Sequence, residues 1–518
     1  MDLMQILGVL LVTALPAFDS CFAGWGLLWD GAMMQATFLG LILGNPTAGV
    51  MVGATLELAF MGIIMIGAAV PPNPTIAAQV ATITVITTGI TVESSLAIAW
   101  PVAVLGMYLG IAAMTVLSGL MHVADRFAEK GNITGILWAN FAAFPIRLAF
   151  SWIPLLMFIF LGLPAVNSVI SALPQQVWTA LDAAGRLMTI LGVSMILSMM
   201  FQMKFLPLYL LGFALAAFAK FGLVAIAMIL VGIIGAVYIL GRKESILPTT
   251  AASEKGTEQS KGSLTQNDLL KTFVRSLWLQ TSLNYERMEA LGYIQAVWPL
   301  LKRWKKDEKE LKEWLKMHLE YYNTQPHFSN IILGIDLALT EQGADIDTVR
   351  ALKVGLIGPF AGIGDSLMWF TLLPICTLIG VSYAAGGNLL GPIVYSILWI
   401  GITWPLRYYF LKIGYDQGTR IAGVLTGERL GIFREIMGAF GIGMLGALTV
   451  LFVNVTTPLV IVGTITLQSI FDALLPHLLP LIAVFGCYRL LKKGWSVLKL
   501  VAVIFIAGFV LGYFGIIG

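Results

Sequence analysis

The feature that most constrains this chain is the distribution of its charged side chains. The chain has 518 residues, and 30 of its 59 Lys, Arg, Asp and Glu side chains lie in the 109 residues from Arg242 to Arg350. The other 409 residues hold only 29 charges, and 58% of the chain is hydrophobic. Soluble chains carry roughly 25% charged residues, whereas this one carries 11%. We therefore expect two membrane blocks separated by one polar insert.

The same composition excludes several classes of protein. Three cysteines, Cys21, Cys376 and Cys487, are odd in number and far apart, so neither a disulfide scaffold nor a CxxC zinc site is expected. A net charge of +3 gives no support for a nucleic-acid partner. No metal site is predicted.

The polar insert begins with a segment that is too polar to fold alone. Residues 244–267 are rich in Ser, Thr, Gly, Lys and Glu, and such a segment cannot bury enough apolar surface to form a core. We predict a flexible linker. Arg242, Lys243 and the basic cluster Lys302–Lys306 place the insert on the cytoplasmic side by the positive-inside rule.

The rest of the insert is predicted to be ordered. Residues Lys305–Glu320 put three leucines on one helical stripe and Glu308 four residues before Lys312. We predict an amphipathic helix, which either packs on the membrane part or also docks a soluble partner. The leucines are Leu311, Leu315 and Leu319.

The membrane blocks contain segments of two lengths. A spanning helix needs about 20 apolar residues, and three segments each fit one span: Ser95–Met121, Phe221–Leu240 and Leu500–Gly518. We predict that the first of them ends at a charged loop, His122–Lys130. Longer uncharged stretches must fold back, which gives roughly ten to fourteen crossings or re-entrant segments. These stretches are Leu58–Val92, Leu148–Leu181, Ser366–Leu406 and Ile436–Phe471.

Each block has one conspicuous break in its hydrophobic pattern. In residues 67–82 three prolines surround Asn73, and Gln79 follows; in residues 355–370 four glycines and a proline precede Asp365. Open backbone at membrane depth is tolerated only where it is buried or lines a cavity. A pair of such breaks, one per half, indicates a transporter's binding site. The alternative is two kinked helices without a ligand.

Isolated carboxylates in apolar segments indicate the same region. Glu57 lies in GATLELAFMG and Asp19 in LPAFDSCFAG. A buried carboxylate is costly and is therefore a candidate for function. Asp19 could instead lie at the membrane interface, and Asp365 could cap a helix that begins at Ser366.

The first block carries strings typical of one transporter family. They are GNPTAGVMVGATLELAFMGIIMIGAAVPPN, residues Gly44–Asn73, and HVADRFAEKGN, residues His122–Asn132. With them the first block resembles the IIC permease subunit of the mannose family of the bacterial phosphotransferase system. The segment Trp29–Gln35 departs from the family pattern, in which a basic residue and a proline often follow the first acidic stretch.

The second block resembles the IID subunit of the same family. The matching strings are SLWLQTSLNYERMEALGY, residues Ser276–Tyr293; HLEYYNTQPHFSNIILG, residues His318–Gly334; and KVGLIGPFAGIGDSL, residues Lys353–Leu367. The chain therefore looks like a IIC–IID fusion. Its predicted parts are a IIC-like domain at 1–243, the linker at 244–267 and a IID-like domain at 268–518, in which amphipathic cytoplasmic or interfacial helices occupy 268–350 and the membrane part 351–518.

The resemblance implies an all-α polytopic membrane protein made of two similar helical units with re-entrant hairpins. It implies a phosphoenolpyruvate-dependent system in which the chain carries a hexose inward across the bacterial inner membrane. A cytoplasmic IIB protein, itself phosphorylated by IIA, would then phosphorylate the sugar. It also implies a homo-oligomer and an elevator-like movement of a substrate-bearing core. Mannose, glucose, fructose, sorbose and amino sugars all stay open.

The sequence contains no recognisable machinery for phosphoryl transfer. There is no GxxxxGK[ST] loop among the residues of the sequence. The four histidines are His122, His318, His327 and His477, and neither His318 nor His327, which flank YYNTQP, has an evident acid–base constellation. The chain therefore reads as the carrier, with the donor histidines on partner proteins and no cofactor of its own. Whether it counts as an enzyme is left open. The rival functions are an uncoupled sugar facilitator or channel, and a membrane receptor or scaffold.

A site for a sugar needs amides and carboxylates that bind hydroxyl groups. Glu57 and Asp365 are also candidates for accepting the proton of the hydroxyl that becomes phosphorylated, and Trp369 or Trp100 could stack on the sugar ring. The predicted substrate-binding residues are Glu57, Asn73, Gln79, Asp365, Asp19, Asn323 and Gln325, with Asn330 as a further candidate. The residues predicted to dock an acidic or phosphorylated partner are Arg287, Lys302, Arg303, Lys305 and Lys306.

Overall fold

The described part of the chain is almost entirely α-helical, as predicted. A computed structural model describes residues 1–63, 70–165, 174–241, 264–305, 307–418, 428–462 and 465–517. The first half contains α1 (Leu3–Phe18), α2 (Ala32–Ile42), α3 (Pro46–Phe60), α4 (Pro74–Thr88), α5 (Val92–Glu129), α6 (Ile133–Phe141), α7 (Ala143–Met157), α8 (Gln175–Met200), α9 (Leu206–Ala217) and α10 (Leu223–Gly241).

The second half continues the helical pattern and adds one short antiparallel ribbon. Its elements are α11 (Gln266–Ser276), α12 (Ala290–Trp304), α13 (Glu308–His318), α14 (Ser329–Glu341), α15 (Ile346–Leu367), α16 (Leu373–Ala384), α17 (Leu390–Gln417), α18 (Glu428–Leu451), β1 (Val460–Val462), β2 (Ile465–Thr466), α19 (Leu467–Leu474), α20 (Leu478–Lys492) and α21 (Val497–Tyr513). Within the described ranges, three π-helical turns interrupt the helices: Asp19–Ala23, Phe158–Gly162 and Met368–Leu372.

Asn-Pro pairs begin two helices of the first half. The Oδ1 atoms of Asn45 and Asn73 accept hydrogen bonds from backbone N–H groups three residues on, and a proline occupies the first helical position in α3 and in α4. Asparagine favours the N-cap, and proline loses no helical hydrogen bond at the first position. The proline-rich break of the first block is therefore also the start of α4.

Few helices are long enough to cross a membrane. In the described ranges four apolar segments have the length, and a fifth does if α19 and α20, bent by 80°, form one span. The four are Leu3–Ala23, Val92–Glu129, Ile133–Ala165 and Ile346–Ala384. The remaining apolar helices of the described ranges have 10–17 residues, and the ten to fourteen crossings or re-entrant segments stay a prediction.

Three predicted local features differ from the structure. The charged stretch His122–Lys130, predicted to be a loop, is helical up to Glu129 because α5 continues through it. The glycines and proline of residues 355–364 do not break the chain, because α15 runs to Leu367 and the irregularity is the π-helical turn that follows. Most of the predicted linker lies outside the described residues, and its last two residues already belong to α11, which Thr265 caps.

The amphipathic helix is confirmed in a shorter form. It is α13, in which Leu315 is buried and Glu308 pairs with Lys312 at 2.6 Å between the carboxylate and Nζ. Its apolar side packs on α5 of the first half and on α12.

Helices from both halves form two groups. In the peripheral group, defined here as α8–α10, α18, α20 and α21, α9 packs on α18, and α8 packs on α20 and α21. The α9–α18 contact is very close, since a Cβ added to Gly212 would lie 1.8 Å from the carbonyl oxygen of Gly443. Small residues such as these glycines allow helices in membranes to approach closely. The central group, α1–α7 and α11–α17, contains the cavities described next.

Candidate functional site

A non-helical loop of the first half, Gly24–Gly31, lies at the centre of the site. It connects the π-helical turn Asp19–Ala23 to α2. The Asp19 carboxylate is buried and accepts hydrogen bonds from the backbone N–H groups of Leu27 (3.1 Å) and Trp29 (2.8 Å). Asp19, predicted to bind substrate, therefore shapes this loop in the structure.

The loop presents Trp25 to three adjoining cavities. The first, which we call the Trp369 cavity, encloses about 1040 Å³ counting the part open to solvent. Both halves line it, because it contains the first break of the sequence together with side chains of α16, α17 and the π-helical turn Met368–Leu372. Its polar and aromatic lining is Trp25, Asp30, Glu57, Phe60, Asn73, Thr75, Trp369, Thr377 and Tyr395.

A second cavity, the Arg147 cavity, lies on the other side of Asn73. It encloses about 980 Å³ counting its open part, and it shares Trp25, Asp30, Asn73 and Thr75 with the Trp369 cavity. Its further polar lining is Ser20, Gln79, Arg147 and Ser151.

The third and smallest cavity, the Asp365 pocket, is formed mainly by the second half. It encloses about 440 Å³ including its open part and shares Trp25 and Trp369 with the Trp369 cavity. Its polar lining is Gln280, Asn323, Thr324 and Asp365. The two breaks predicted from the sequence thus meet at adjoining cavities, although only the first is a break in helical structure.

Glu57 links the two halves at the wall of the Trp369 cavity. Its Oε1 atom accepts a hydrogen bond from the hydroxyl of Tyr395 at 2.9 Å, and its Oε2 atom accepts one from the N–H group of Met33 at 2.9 Å. Tyr395 belongs to α17, whereas Glu57 and Met33 belong to the first half. The carboxylate is therefore held at a fixed position beside the cavity.

The two amides of the first break have different surroundings. Asn73 is half-buried, lines two cavities and uses its Oδ1 atom to cap α4. Gln79 is buried and donates through Nε2 to the Oε1 atom of Gln35 at 2.9 Å, while its own Oε1 atom has no hydrogen-bond partner in the described structure.

The predicted residues of the second half separate into lining and framework residues. Asp365 is half-buried in the last turn of α15 and lines its pocket with Asn323, so it does not cap a helix at Ser366. Gln325 is buried, accepts from the N–H groups of two following residues and pairs with His327 Nδ1 at 2.8 Å. It stabilises the turn before α14 and lies outside the three cavity linings.

Three further candidates lie at different depths. Trp369 lines two cavities, contacts Trp25 edge-on at 5.6 Å between ring centroids and stacks on Trp399 at 5.7 Å. Trp100 packs on Phe60 at 4.5 Å in the core, outside the three linings. Asn330 donates to the carbonyl of Arg407 at 2.9 Å and is fully buried.

Sequence reasoning missed Asp30 as a site residue. Asp30 is half-buried, lines both large cavities and accepts a hydrogen bond from Thr75 through its backbone carbonyl. The signal was available, since Asp30 is one of the few carboxylates in the first block. Its position beside Asn73 depends on the folded loop, which the sequence pattern does not predict.

Several basic residues predicted to dock a partner are already paired within the chain. Arg287 binds both carboxylate oxygens of Asp125, each at 2.7 Å, and so joins the second half to α5. Arg303 pairs with Asp268 at 2.7 Å; this pairing, together with hydrogen bonds from Thr265, holds the pKa of the Asp268 carboxyl well below its ordinary value. Lys305 pairs with Glu310 at 2.9 Å. Lys302 is exposed, and Lys306 lies outside the described residues.

His318, on α13, is not placed for phosphoryl transfer. It is fully buried against the ring of Tyr293, and burial followed by the nearby Lys353 ammonium lowers the pKa of its imidazole well below the ordinary value. A buried neutral imidazole cannot meet a phosphorylated partner at the surface. His327 is likewise fully buried, and its ring contacts Trp369 at 5.8 Å and Trp399 at 5.6 Å, edge-on in both cases.

Comparison with known families divides the chain in the same place as its charge pattern. Residues 263–517 match the family model described as the mannose/fructose/sorbose family IID component of the PTS system, and residues 3–238 match the model described as the sorbose-specific IIC component.

Curated relatives agree for each half. The chain is 37% identical over 271 residues to the PTS system mannose-specific EIID component of Escherichia coli (strain K12), with 49% of this chain and 96% of the relative covered. It is 36% identical over 194 residues to the PTS system sorbose-specific EIIC component of Lacticaseibacillus casei, with 37% of this chain and 70% of the relative covered. A solved membrane-protein structure aligns with a TM-score of 0.47 at 36% identity, covering 49% of this chain and 99% of that chain.

Proposed function

Because the chain belongs to the mannose/fructose/sorbose family of the phosphotransferase system and joins a IIC to a IID component, we propose that it binds a hexose between its two halves and carries it inward for phosphorylation by a cytoplasmic IIB protein. The family resemblance read from the sequence is thereby confirmed. The domain division proposed is 1–243, 244–267 and 268–518.

The observation that supports this proposal most is the composition of the Trp369 cavity. Its lining combines two carboxylates, an amide, three hydroxyl groups and two tryptophans, taken from both halves. Amides and carboxylates bind sugar hydroxyls and would otherwise lie buried without partners. Indole rings offer apolar faces of the kind that pack on the C–H face of a pyranose. The cavity is large enough for a hexose.

We assign roles by the surroundings of each side chain. Asp30 and Asn73 line both large cavities and are the proposed hydroxyl ligands on the IIC side. Glu57, held by Tyr395, and Asp365, in its own pocket, remain the two candidates for accepting a hydroxyl proton during transfer. Gln79 and Asn323 are secondary ligands, while Asp19 and Gln325 act through the backbone that they hold.

The partners and the location follow from the same proposal. The chain would act in the bacterial inner membrane with its central insert in the cytoplasm, as a homo-oligomer served by IIA and IIB proteins. Of the described basic residues, Lys302 is proposed to contribute to the docking surface for IIB, since Arg287, Arg303 and Lys305 are engaged in ion pairs within the chain. Charge complementarity would speed the encounter with such a partner.

An elevator-like movement would carry the central group past the peripheral group. The two groups meet mainly where α8 crosses α3 and α5, with smaller contacts of α10 on α16 and of α18 on α15. At this crossing a Cβ on Gly185 would lie 2.2 Å from the carbonyl oxygen of Glu93, and one on Gly192 would lie 2.2 Å from that of Leu58. A contact made by glycines has few interlocking side chains, which favours sliding over fixed packing.

Binding and uptake measurements test the proposal. Purified protein would be titrated with D-mannose, D-glucose, D-fructose, L-sorbose and D-glucosamine, and proteoliposomes would be assayed with and without phosphorylated IIB. We expect one of these sugars to bind, its phosphate to accumulate only with phosphorylated IIB, and Asp30→Asn to weaken binding at least tenfold, as loss of a charged hydrogen bond does. Asp2→Asn is the matched control, because Asp2 is an exposed carboxylate at the start of α1.

The other outcomes separate the alternatives. Free sugar that accumulates without phosphorylated IIB would identify an uncoupled facilitator. Absence of binding to all five sugars would contradict a hexose site and favour a receptor or scaffold. Equal affinity in Asp30→Asn and Asp2→Asn would exclude the Asp30 carboxylate as a sugar ligand.

A further inference from the structure

The loop Gly24–Gly31 has a backbone conformation that it does not hold by itself. Trp25 (φ 57°) and Leu28 (φ 56°) are non-glycine residues in the left-handed region, and Gly24 (φ 56°) adopts it as well. Left-handed non-glycine residues are uncommon and persist only where the surroundings fix them. Contacts from elsewhere in the fold must therefore stabilise this loop.

The Asp19 carboxylate supplies two such contacts within the first half, and one helix of the second half supplies three more. The carbonyl oxygens of residues 24, 25 and 26 accept hydrogen bonds from Arg407 Nη1 (3.1 Å), Trp399 Nε1 (3.0 Å) and Trp404 Nε1 (3.2 Å), in that order. All three donors belong to α17. Three successive carbonyls of the IIC part are thus bound by a single helix of the IID part.

The approach is close enough to require glycine in the loop. A Cβ on Gly24 would lie 2.8 Å from Arg407 Nη1, and a Cβ on Gly26 would lie 2.4 Å from Trp404 Nε1. Glycine is the residue that lets backbone and partner approach in this way. The sequence of the loop and the donors of α17 therefore fit each other.

Arg407 connects this contact to the rest of the second half. It is fully buried, and its Nη2 atom donates to the carbonyls of Ser276 (3.2 Å) and Pro326 (3.4 Å). A buried cation is costly and is weak evidence for stability alone. Here the guanidinium spans three separate chain segments, which only its planar set of donors can do.

We propose that Arg407, Trp399 and Trp404 are positioning residues, which fold the IIC loop so that Trp25 and Asp30 face the Trp369 cavity. The IIC part would have a competent sugar site only while α17 of IID is docked on it. This inference rests on the proposed function for its effect on sugar binding, and on the loop geometry for its structural part.

Trp404→Phe tests the proposal most cleanly, because it keeps an aromatic ring and removes only the N–H donor. Arg407→Lys keeps the charge and removes the fork of donors. The matched control is Trp152→Phe, since Trp152 Nε1 donates to the carbonyl of Leu10 at 3.0 Å within the IIC part, away from the loop. Hydrogen exchange of residues 24–31, the hexose Kd, and KM and kcat of sugar uptake are measured for each full-length variant.

We expect loop exchange and sugar affinity to change together in the α17 variants and to stay unchanged in the control. In Trp404→Phe, exchange in residues 24–31 speeds up and the hexose Kd and KM both rise about fivefold, the effect of one neutral hydrogen bond, while kcat stays unchanged. Arg407→Lys gives a larger change in the same quantities. Trp152→Phe alters neither loop exchange nor sugar affinity.

Two outcomes would overturn the proposal, and one would affect only the function. Wild-type loop exchange in both Trp404→Phe and Arg407→Lys would refute the positioning role, whatever the sugar data show. A loop that exchanges faster without any change in hexose Kd would refute its link to the sugar site. If the wild type binds no hexose while loop exchange responds as expected, the proposed function fails and the positioning role is supported.

Discussion

Asn73 offers the sharpest test of the cavity, because its side chain has two separable tasks. Its Oδ1 atom accepts from the N–H group of Ile76 at 3.1 Å and caps α4, and its side chain lines both large cavities. A Cβ on Gly106 would lie only 2.8 Å from the Cβ of Asn73, so smaller replacements are the safe ones. Asn73→Ser keeps a capping oxygen and removes the amide, whereas Asn73→Ala removes both.

The two variants should differ in the stability of α4 and agree in sugar affinity. Loss of a cap costs about 1 kcal/mol, which corresponds to about fivefold faster exchange of the first amides of α4 in Asn73→Ala than in Asn73→Ser. Loss of a neutral hydrogen bond to a sugar hydroxyl weakens binding about fivefold in both variants. The backbone hydrogen bond from Asn73 N–H to the carbonyl of Ala103, at 2.8 Å, is retained in each.

The hexose affinities are measured by isothermal titration of the purified protein with the sugar that the wild type binds. The stability of the α4 N-terminus is measured by hydrogen exchange of its first amides, read by mass spectrometry. Asn73→Ser with wild-type affinity would show that the amide does not contact the sugar. Affinity that falls only in Asn73→Ala would mean that the cap, and not the amide, matters for binding. Either result would refute our assignment of Asn73 as a ligand.

Three other predictions concern the junction of the halves, the insert and the peripheral group. Tyr395→Phe removes the hydroxyl bound to Glu57, so we expect hexose affinity to fall about fivefold in a calorimetric titration; an unchanged Kd would exclude a role for this contact. Buried His318 stays neutral when folded because burial lowers its pKa well below the ordinary 6.5, whereas the unfolded chain takes up a proton below that value. The stability that the neutral imidazole contributes is thus present above pH 6.5 and is lost on acidification, by about 1 kcal/mol between pH 6.5 and 5.5 for one proton. Between these two pH values the free energy of chemical unfolding should therefore fall by about 1 kcal/mol more in the wild type than in His318→Gln. Equal falls in the two proteins would contradict this prediction. Gly212→Ala places a Cβ against the backbone of α18 and should destabilise the protein by about 1–3 kcal/mol. Gly232→Ala on α10 should be tolerated, because nothing lies within 4 Å of the added Cβ. Equal thermal stability of the two variants would be inconsistent with the α9–α18 packing.

The parts of the fold that the sequence predicts are those encoded by local patterns. The charge distribution separates the two blocks, leucine spacing predicts α13, and the prolines around Asn73 mark the first break. Each of these signals depends on residues close together in the chain. Glu57 was recognisable for a related reason, since a lone carboxylate in an apolar segment needs partners wherever it folds.

The parts that the sequence does not predict depend on contacts between distant residues, or on neighbouring groups that satisfy backbone atoms freed by glycine or proline. Glycines and a proline in α15 suggested a break, yet a membrane helix tolerates them where neighbouring groups satisfy the freed backbone. Arg287 resembled a docking residue because its partner Asp125 lies 162 positions away. The loop that presents Asp30 is shaped by Arg407, 383 positions from the carbonyl it binds.

The most direct test of the account is a cryo-EM density map of the full chain in lipid nanodiscs with a saturating hexose. We predict sugar density inside the Trp369 cavity, beside Trp25 and Trp369, within hydrogen-bonding distance of Asp30 or Asn73 and enclosed by residues of both halves. Sugar density enclosed by residues of one half alone, or lying away from both tryptophans, would contradict the claim that the IIC and IID parts build one binding site.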